Sequence, residues 1–483
     1  GGASLCKSQM ADTYYNMWQP RFGFAYRWHE GTVIRGGIGK SSLRGGASTL
    51  MGPMIAAGYL TGFQYQNTMS SQDAGITPPV QLRPTWDVGV PSVVDPPVRD
   101  RTLANGQSLD YMQPIDGKNG YVTTWSLTVE QELPYKMVLE SSYVGSSGVR
   151  LGSNLLNANQ TPAKYLSLGS VLSKDINSPE AVAAGIELPY PGFQGTVAQA
   201  LRPYPQYNAI NEKVQTPGHS SYHSLQERLQ KGYSNGMTLL VTYTWSKTIT
   251  DSLSQFSGFG AYPQDTAQRR RERQVLGANA DGAGGAHVLN IASTYELPIG
   301  PGKKFLNQSP ILGRVLGGWG ASGVLTYSQA APLPIGGGTP NPIFNGSTRP
   351  NIVPGVNQKL YKGGKFNPYT DRYVNPTAFS DAGAFALGNA PPTLPQLHGF
   401  MFANESLSLL KNTKIRDTAN LELRIDAFDA FNRVVFGRPN MDFSQVSCGT
   451  TPSENGACNG AFGKVNSQAN APRQVQFGVR LSF

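Results

Sequence analysis

The chain has 483 residues, of which 39% are hydrophobic and 14% charged, with a formal charge of +10. Its apolar runs fall far short of the roughly 20 residues that a spanning helix needs, which excludes a helical membrane protein, and its charge content is too low for highly charged disorder. The 56 Gly, 35 Pro, 22 Tyr and 20 Phe suit many strands joined by long irregular loops, with aromatics at water–lipid boundaries.

The strands announce themselves by period-two alternation in segments of about ten residues, the pattern of a barrel strand with one lipid face and one lumen face. In chain order, Phe22, Phe24, Tyr26 and Trp28 alternate with Arg21, Gly23, Ala25 and Arg27, then a His29–Gly31 turn leads into Ile34, Gly36 and Ile38. The clearest case is Tyr121 to Leu133: Tyr121, Trp125, Leu127, Val129 and Leu133 share a face, opposite Thr124, Ser126, Thr128, Glu130 and Glu132. After Pro134-Tyr135 the pattern resumes at Met137, Leu139 and Tyr143, with Glu140 and Ser142 opposite. Tyr222–Tyr233 turns at Ser234-Asn235-Gly236, since Asn-Gly readily takes positive φ, and returns through Leu239, Val241, Tyr243 and Trp245. Leu289, Ile291, Tyr295 and Leu297 precede a Pro/Gly/Lys turn region, Pro298–Gly318, and Trp319, Leu325 and Tyr327 return. Phe402–Ile415 pairs with Leu421–Phe431 around Arg416-Asp417-Thr418, and the last strand carries Val475, Phe477, Val479, Leu481 and Phe483 on one face.

Between these hairpins run long stretches rich in Pro, Gly, Asn and Ser: Ser41–Gly120, Gly152–Ser221, Asp251–Ala286, Leu333–Met401 and Val434–Pro472. Soluble domains seldom carry repeated structureless loops of that size. Outer-membrane barrels do, with short periplasmic turns and longer extracellular loops. The fold class expected is therefore all-β, an antiparallel transmembrane outer-membrane β-barrel. About eleven strands is an odd number, whereas bacterial single-chain barrels are even. An open sheet would leave two edges unpaired in lipid, at several kcal/mol per lost hydrogen bond. The expectation is one partial barrel domain over residues 1–483, the C-terminal portion of a barrel of about twenty-two strands. No charged-then-apolar leader stands at Gly1, so the leader has been cleaved or the chain starts far into its precursor.

These stretches resemble the large TonB-dependent receptor family, specifically the Oar-like receptors with a carboxypeptidase-regulatory-like N-terminal domain. The resemblance rests on QPRFGFAYRWHEGTVIRGGIG, TTWSLTVEQELPYKMVLESSYVGSSGVRL, YHSLQERLQKGYSNGMTLLVTYTWSKTITDS, YELPIGPGKKF with LGGWGASGVLTY, NPTAFS, LELRIDAFDAFNRVVFGRPN and FGKVNSQANAPRQVQFGVRLSF. They run from about Gln19 to Phe483, and the long loops match poorly. The resemblance implies a plugged barrel of about twenty-two strands, energised by the inner-membrane TonB complex through an N-terminal part that has no room here. The terminal FGVRLSF also looks like the assembly signal of outer-membrane proteins, carried by Val475, Phe477, Val479, Leu481 and Phe483 and read by strand addition on the barrel assembly machinery. The plainer reading is a last strand with a lipid face, and both can hold.

The remaining candidate sites are few. Cys448 and Cys458 bracket CGTTPSENGAC, which suggests a local disulfide in an oxidising compartment, two free thiols being the alternative; Cys6 stands alone. Arg269, Arg270, Arg271 and Arg273 form the one dense basic cluster, read as a solvated loop or as a site for anionic lipopolysaccharide or ligand. Trp28, Tyr121, Trp125, Tyr243, Trp245, Tyr295, Trp319 and Tyr327 are read as lipid-face girdle aromatics. His29, His219, His223, His287 and His398 fall in no metal-ligand spacing, Gly336–Gly338 lacks the context of a phosphate loop, and Glu130, Glu132 and Glu140 read as lumen polars rather than a glycosidase pair. No enzyme, cofactor, metal or nucleic-acid partner is expected. Glu227, between Leu225 and Leu229, breaks the pattern: the register slips, an interface lies near, or a protein partner meets it there. The function expected is energised uptake of an unidentified ligand at the outer membrane, in contact with lipid and lipopolysaccharide. The alternative is a structural, secretion-related or adhesion role, and a passive porin ranks third.

Overall fold

The computed structural model describes residues 15–43, 108–111, 119–152, 158–212, 216–252, 264, 273–276, 285–307, 310–341, 348–416, 419–446 and 460–483. Among them, eleven strands form one continuous antiparallel wall. They are β1 Arg21–His29, β2 Thr32–Ser42, β3 Tyr121–Leu133, β4 Met137–Leu151, β5 Gly218–Ser234, β6 Met237–Thr250, β7 His287–Glu296, β8 Trp319–Ser328, β9 Phe402–Arg416, β10 Ala419–Phe428 and β11 Gln474–Ser482. Each pairs with its sequence neighbours, so the wall is an uninterrupted meander. A short strand, Gln274–Leu276, adds to the end of β6. Among the described residues, β1 and β11 are each paired on one side only.

The register decides which residues share a face, because side chains alternate with period two. Leu127 lies opposite Tyr143, Tyr143 opposite Leu225, Leu225 opposite Trp245 and Trp245 opposite His287. Ile425 likewise lies opposite both Leu409 and Phe477. One face is thus a continuous apolar and aromatic surface, and it is exposed: Phe22, Phe24, Leu127, Trp245, Phe477 and Val479 all present large accessible areas. The opposite face carries Thr124, Ser126, Thr128, Glu130, Glu140, Ser142, Arg228, Thr242, Thr244, Asn290, Ser408 and Asp426. That distribution is inverted relative to a water-soluble sheet, which buries its apolar face.

Two glycines on the apolar face are explained by the rings above them. A Cβ on Gly36 would lie 2.4 Å from the Phe24 ring, and one on Gly145 would lie 2.3 Å from the Trp125 indole. Each aromatic sits directly opposite its glycine on the neighbouring strand, filling the gap the missing side chain leaves.

The hairpins turn tightly at one end. Asn235 and Gly236 both take positive φ, 52° and 76°, the conformation a two-residue turn between twisted strands requires. The exception is the 297–318 connection, read as a turn region, which contains a helix over Pro310–Leu316. β10 also ends earlier than the alternation implies, at Phe428 rather than Phe431. Asp429 there takes positive φ, 47°, and its carboxylate accepts from the Arg433 amide and the Asn470 side chain.

The connections at the other end are long, and the described parts of three of them are packed rather than structureless. In the β4–β5 connection, Leu172, Ile176, Phe193 and Val197 form a core under short helical turns. The β8–β9 and β10–β11 connections share a second core, in which Leu333, Tyr373, Phe379, Leu394, Phe443 and Phe462 are buried. Gly, Pro and Asn shape these segments, while aperiodic apolar residues pack them together.

Candidate functional site: the polar wall and the packed loops

On the polar face, charges line up across four strands. Glu130 and Glu140 are opposite one another, and Arg228 is opposite Glu140. The Arg35 guanidinium pairs with Glu130 and lies 3.9 Å from Glu140, and Arg228 lies 3.9 Å from Glu140. Arg228 donates to the Gln230 side chain at 2.7 Å, and the hydroxyls of Thr128 and Ser142 are 2.8 Å apart. At the far side of the wall, Asp426 accepts from Ser408 and from Arg424. Among the described residues these charged groups are arranged so that acidic and basic side chains meet across the strands and, at Arg424 and Asp426, along one. Among the described residues, no three His, Cys, Asp or Glu come together as a metal site.

Of the eight aromatics expected at the girdle, Tyr121, Trp125, Tyr243, Trp245, Tyr295, Trp319 and Tyr327 share the apolar face by register, and Trp28, exposed, sits where the β1–β2 register shifts between Arg27 and His29. Several aromatics of this face, Tyr143 among them, have polar partners. The Tyr143 hydroxyl lies 2.8 Å from His223 Nδ1, and that of Tyr243 lies 2.7 Å from His287 Nδ1. Trp125 approaches the His223 ring edge-on and Trp245 stacks on His287. Lys40 Nζ is 4.1 Å from the Tyr121 ring centre, and Lys411 Nζ is 5.0 Å from that of Trp319. These are attractive cation–π geometries. Alternation placed the Tyr and Trp, whereas the partnering of His223 and His287 needs the register between strands, which no single strand contains.

Glu227 stays in register, opposite Ser141 and Tyr243. A slipped strand is therefore not the reason for its place on the apolar face. Its carboxylate accepts from the Ser141 hydroxyl at 2.6 Å.

The loop end is tied together by buried polar residues. Gln264 donates to the Gly388 carbonyl at 2.8 Å and accepts from the Arg349 amide at 2.9 Å, while its own carbonyl accepts from Gln160. One side chain and its backbone thus join three separate connections. Tyr373, fully buried, donates to the carbonyls of His398 and Gly399 at 2.6 and 2.9 Å, and burial pushes its phenol well above the usual range. Burial, with Lys359 adding to it, holds His398 below the usual histidine range. Asp381 is also lowered: burial acts against this, but hydrogen bonds from the Thr339 hydroxyl and amide and from the Gly383 and Ala382 amides together outweigh it. Within NPTAFS, Ala378 and Phe379 are buried in this core, the one local sign in the sequence that the loops pack.

On β11, Val475, Phe477, Val479 and Leu481 lie on the apolar face and are exposed, and Phe483 is 98% exposed beyond the strand. Cys6, Cys448, Cys458, Arg269, Arg270 and Arg271 lie outside the described residues, so the disulfide and the basic cluster remain expectations. Arg273 is exposed.

Among solved structures, the chain is similar to the FrpB iron transporter from Neisseria meningitidis at 11% identity, covering 96% of this chain and 39% of that one, with a TM-score of 0.35. It is similar to the outer membrane transporter YddB from Escherichia coli at 10% identity, covering 94% and 38%, with a TM-score of 0.38. A mutant of the ferric enterobactin receptor of Pseudomonas aeruginosa is similar at 11% identity, covering 96% and 40%, with a TM-score of 0.37. The chain spans about two fifths of the length of each, and likeness this distant assigns no function. No curated protein matches. The outer membrane beta barrel domain family matches residues 2–476. With an exposed apolar face, a polar opposite face and short turns set against long loops, the chain belongs to the outer membrane beta barrel domain family and resides in the outer membrane.

Proposed function

We propose that this chain is part of the wall of a large outer-membrane receptor that takes up a ligand bound by its loops. The observation that carries the reading is the eleven-strand meander with one partner missing at each edge among the described residues. In lipid every backbone polar group must be satisfied, so such a wall needs further strands to close. Doubling it gives the class of about twenty-two strands, whose lumen is wide enough to need a plug. A plugged barrel passes solutes only when the plug moves, which is the physical basis of energised rather than passive transport. The family resemblance in the strand sequences supports the same reading, with the TonB complex as energy source and the ligand unnamed. In this reading the apolar face meets lipid, the polar face lines the lumen, and the packed loops face outward.

Planar-bilayer recordings on the full-length parent protein separate the alternatives. A plugged receptor stays closed in buffer and opens reversibly when urea loosens the plug. A steady open conductance in buffer means a porin. A barrel that urea does not open, and that fails to bind the periplasmic domain of TonB, points to a structural, secretion or adhesion role.

A further inference from the structure

The connection between β7 and β8 differs from its neighbours at the turn end. β1–β2 and β5–β6 turn over residues 30–31 and 235–236, whereas β7–β8 spends residues 297–318 and builds a helix, Pro310–Leu316. That helix is packed the wrong way round for water. The small residues in it and just after it face inward: a Cβ on Gly317 would lie 2.7 Å from Gly300 Cα, and one on Gly313 would lie 2.9 Å from the Leu306 carbonyl oxygen. Among its described side chains the large ones face out, with Leu312, Val315 and Leu316 at 54%, 59% and 49% exposure, beside Phe305 at 53%. An amphipathic helix on a soluble surface does the reverse.

Position explains the inversion. Lys411 shares the apolar face of β9 with Leu407 and Leu409. Its ammonium donates to the carbonyls of Val315 at 2.7 Å and Gly317 at 3.0 Å, the end of the helix where a cation complements the dipole. The helix C-terminus is therefore held on the apolar side of the wall, next to Trp319. The 297–318 segment contains Lys303, Lys304 and Arg314 and no Asp or Glu, a balance that suits anionic phosphates. Lys303 is paired with Glu296 at 2.7 Å.

We infer that this turn is an interfacial anchor, with Leu312, Val315, Leu316 and Phe305 seated in the headgroup–acyl boundary of the periplasmic leaflet. Its ligand is glycerophospholipid. The apolar surface continues that of the wall, and Lys304, whose ammonium lies 5.5 Å from the Phe305 ring centre, meets the phosphates. The inference rests on the reading that the apolar face meets lipid.

The test places a benzophenone amino acid at Leu316, and separately at Val315, in the full-length protein in intact outer membranes. Phe477 on the apolar face and Tyr369 in the loops, 74% and 95% exposed, serve as lipid and water references. After irradiation, mass spectrometry of the purified protein should show phospholipid adducts at Leu316, Val315 and Phe477, and none at Tyr369. A crosslink from both turn positions to another protein or to this chain, or no adduct there while Phe477 captures lipid, overturns the anchor. Failure of Phe477 to capture lipid overturns the reading beneath it.

Discussion

Glu130 and Glu140 are directly opposite one another on neighbouring strands, and the Arg35 guanidinium sits against both. Two like charges in that position repel, so the arginine keeps the polar wall compatible with its own charge pattern. Arg35→Met should lower stability by about 1 kcal/mol, a modest figure because all three groups are partly exposed. Glu140→Gln in the same background should recover much of the loss, because it removes the repulsion that Arg35 had relieved. Urea midpoints in lipid vesicles, run as a double-mutant cycle, measure the coupling. Equal midpoints for wild type and Arg35→Met would show that the row is merely solvated.

Lys411 supplies two charge-assisted hydrogen bonds to the last carbonyls of the turn helix. Lys411→Met keeps an unbranched side chain opposite Trp319 but removes both. The local opening free energy of the turn should fall by about 2 kcal/mol. Trypsin should then cut around Lys303, Lys304 and Arg314 about 30-fold faster, where cleavage follows the open population. The barrel itself should keep its urea midpoint, since the turn lies outside the wall. Cleavage at an unchanged rate would mean that the helix is held by its glycine packing alone.

The packed loop unit should weaken on mild acidification. His398 has its Nδ1 buried without a hydrogen-bond partner among the described residues, and burial followed by Lys359 holds its pKa down. With the folded value below the ordinary histidine value near 6.5, both states are neutral above that pH and nothing is lost. As pH falls below 6.5 the unfolded unit binds the proton and the folded one does not. Stability then declines by at most about 1.4 kcal/mol per pH unit, until the folded pKa is reached. Asp381 and Asp442 are also lowered, Asp442 chiefly by the Ser444 hydroxyl. They act only below the ordinary carboxylate range, where the unfolded carboxylates begin to bind protons. Limited proteolysis of loops 332–400 in membranes at pH 7.5 and pH 5.5 checks this, and His398→Phe should flatten the difference. A pH-independent rate in the wild type would show that His398 titrates normally.

The wall was legible because a membrane-facing strand has one requirement, apolar side chains on alternate residues, and Tyr121–Leu133 or Val475–Phe483 meets it without help from any neighbour. The turn at Asn235-Gly236 was legible for a similarly local reason. The loop cores were not. Tyr373 and Phe462 pack against residues far along the chain and Phe193 within its own connection, with no period to mark them, and the buried Gln264 gives no sign of joining three connections. The turn helix escaped notice because Gly313, Gly317 and Pro310 are poor helix formers in water. The value of the two glycines lies in close packing against Gly300 and the Leu306 carbonyl, visible only once the chain has folded back.

Phe483 should matter for assembly and not for stability. It is 98% exposed, so deleting it removes no packing inside the chain. β11 pairs with β10 through residues 474–482, so the wall's hydrogen bonds also survive. If the alternating Val475, Phe477, Val479, Leu481 and Phe483 are the edge that the assembly machinery reads by strand addition, the deletion leaves a stable barrel that is seldom built. The Arg269, Arg270 and Arg271 triple alanine variant serves as the comparison, since that cluster belongs to a long connection between strands. Heat-modifiable, folded barrel in isolated outer membranes should drop several-fold for the Phe483 deletion and little for the arginine variant, while refolded samples of all three keep the same urea midpoint. Equal folded yield in membranes for the deletion and the wild type would remove the recognition role and leave β11 as a lipid-facing strand only. A lowered midpoint in the refolded deletion would place the effect in stability, through a contact that Phe483 makes with strands beyond the eleven.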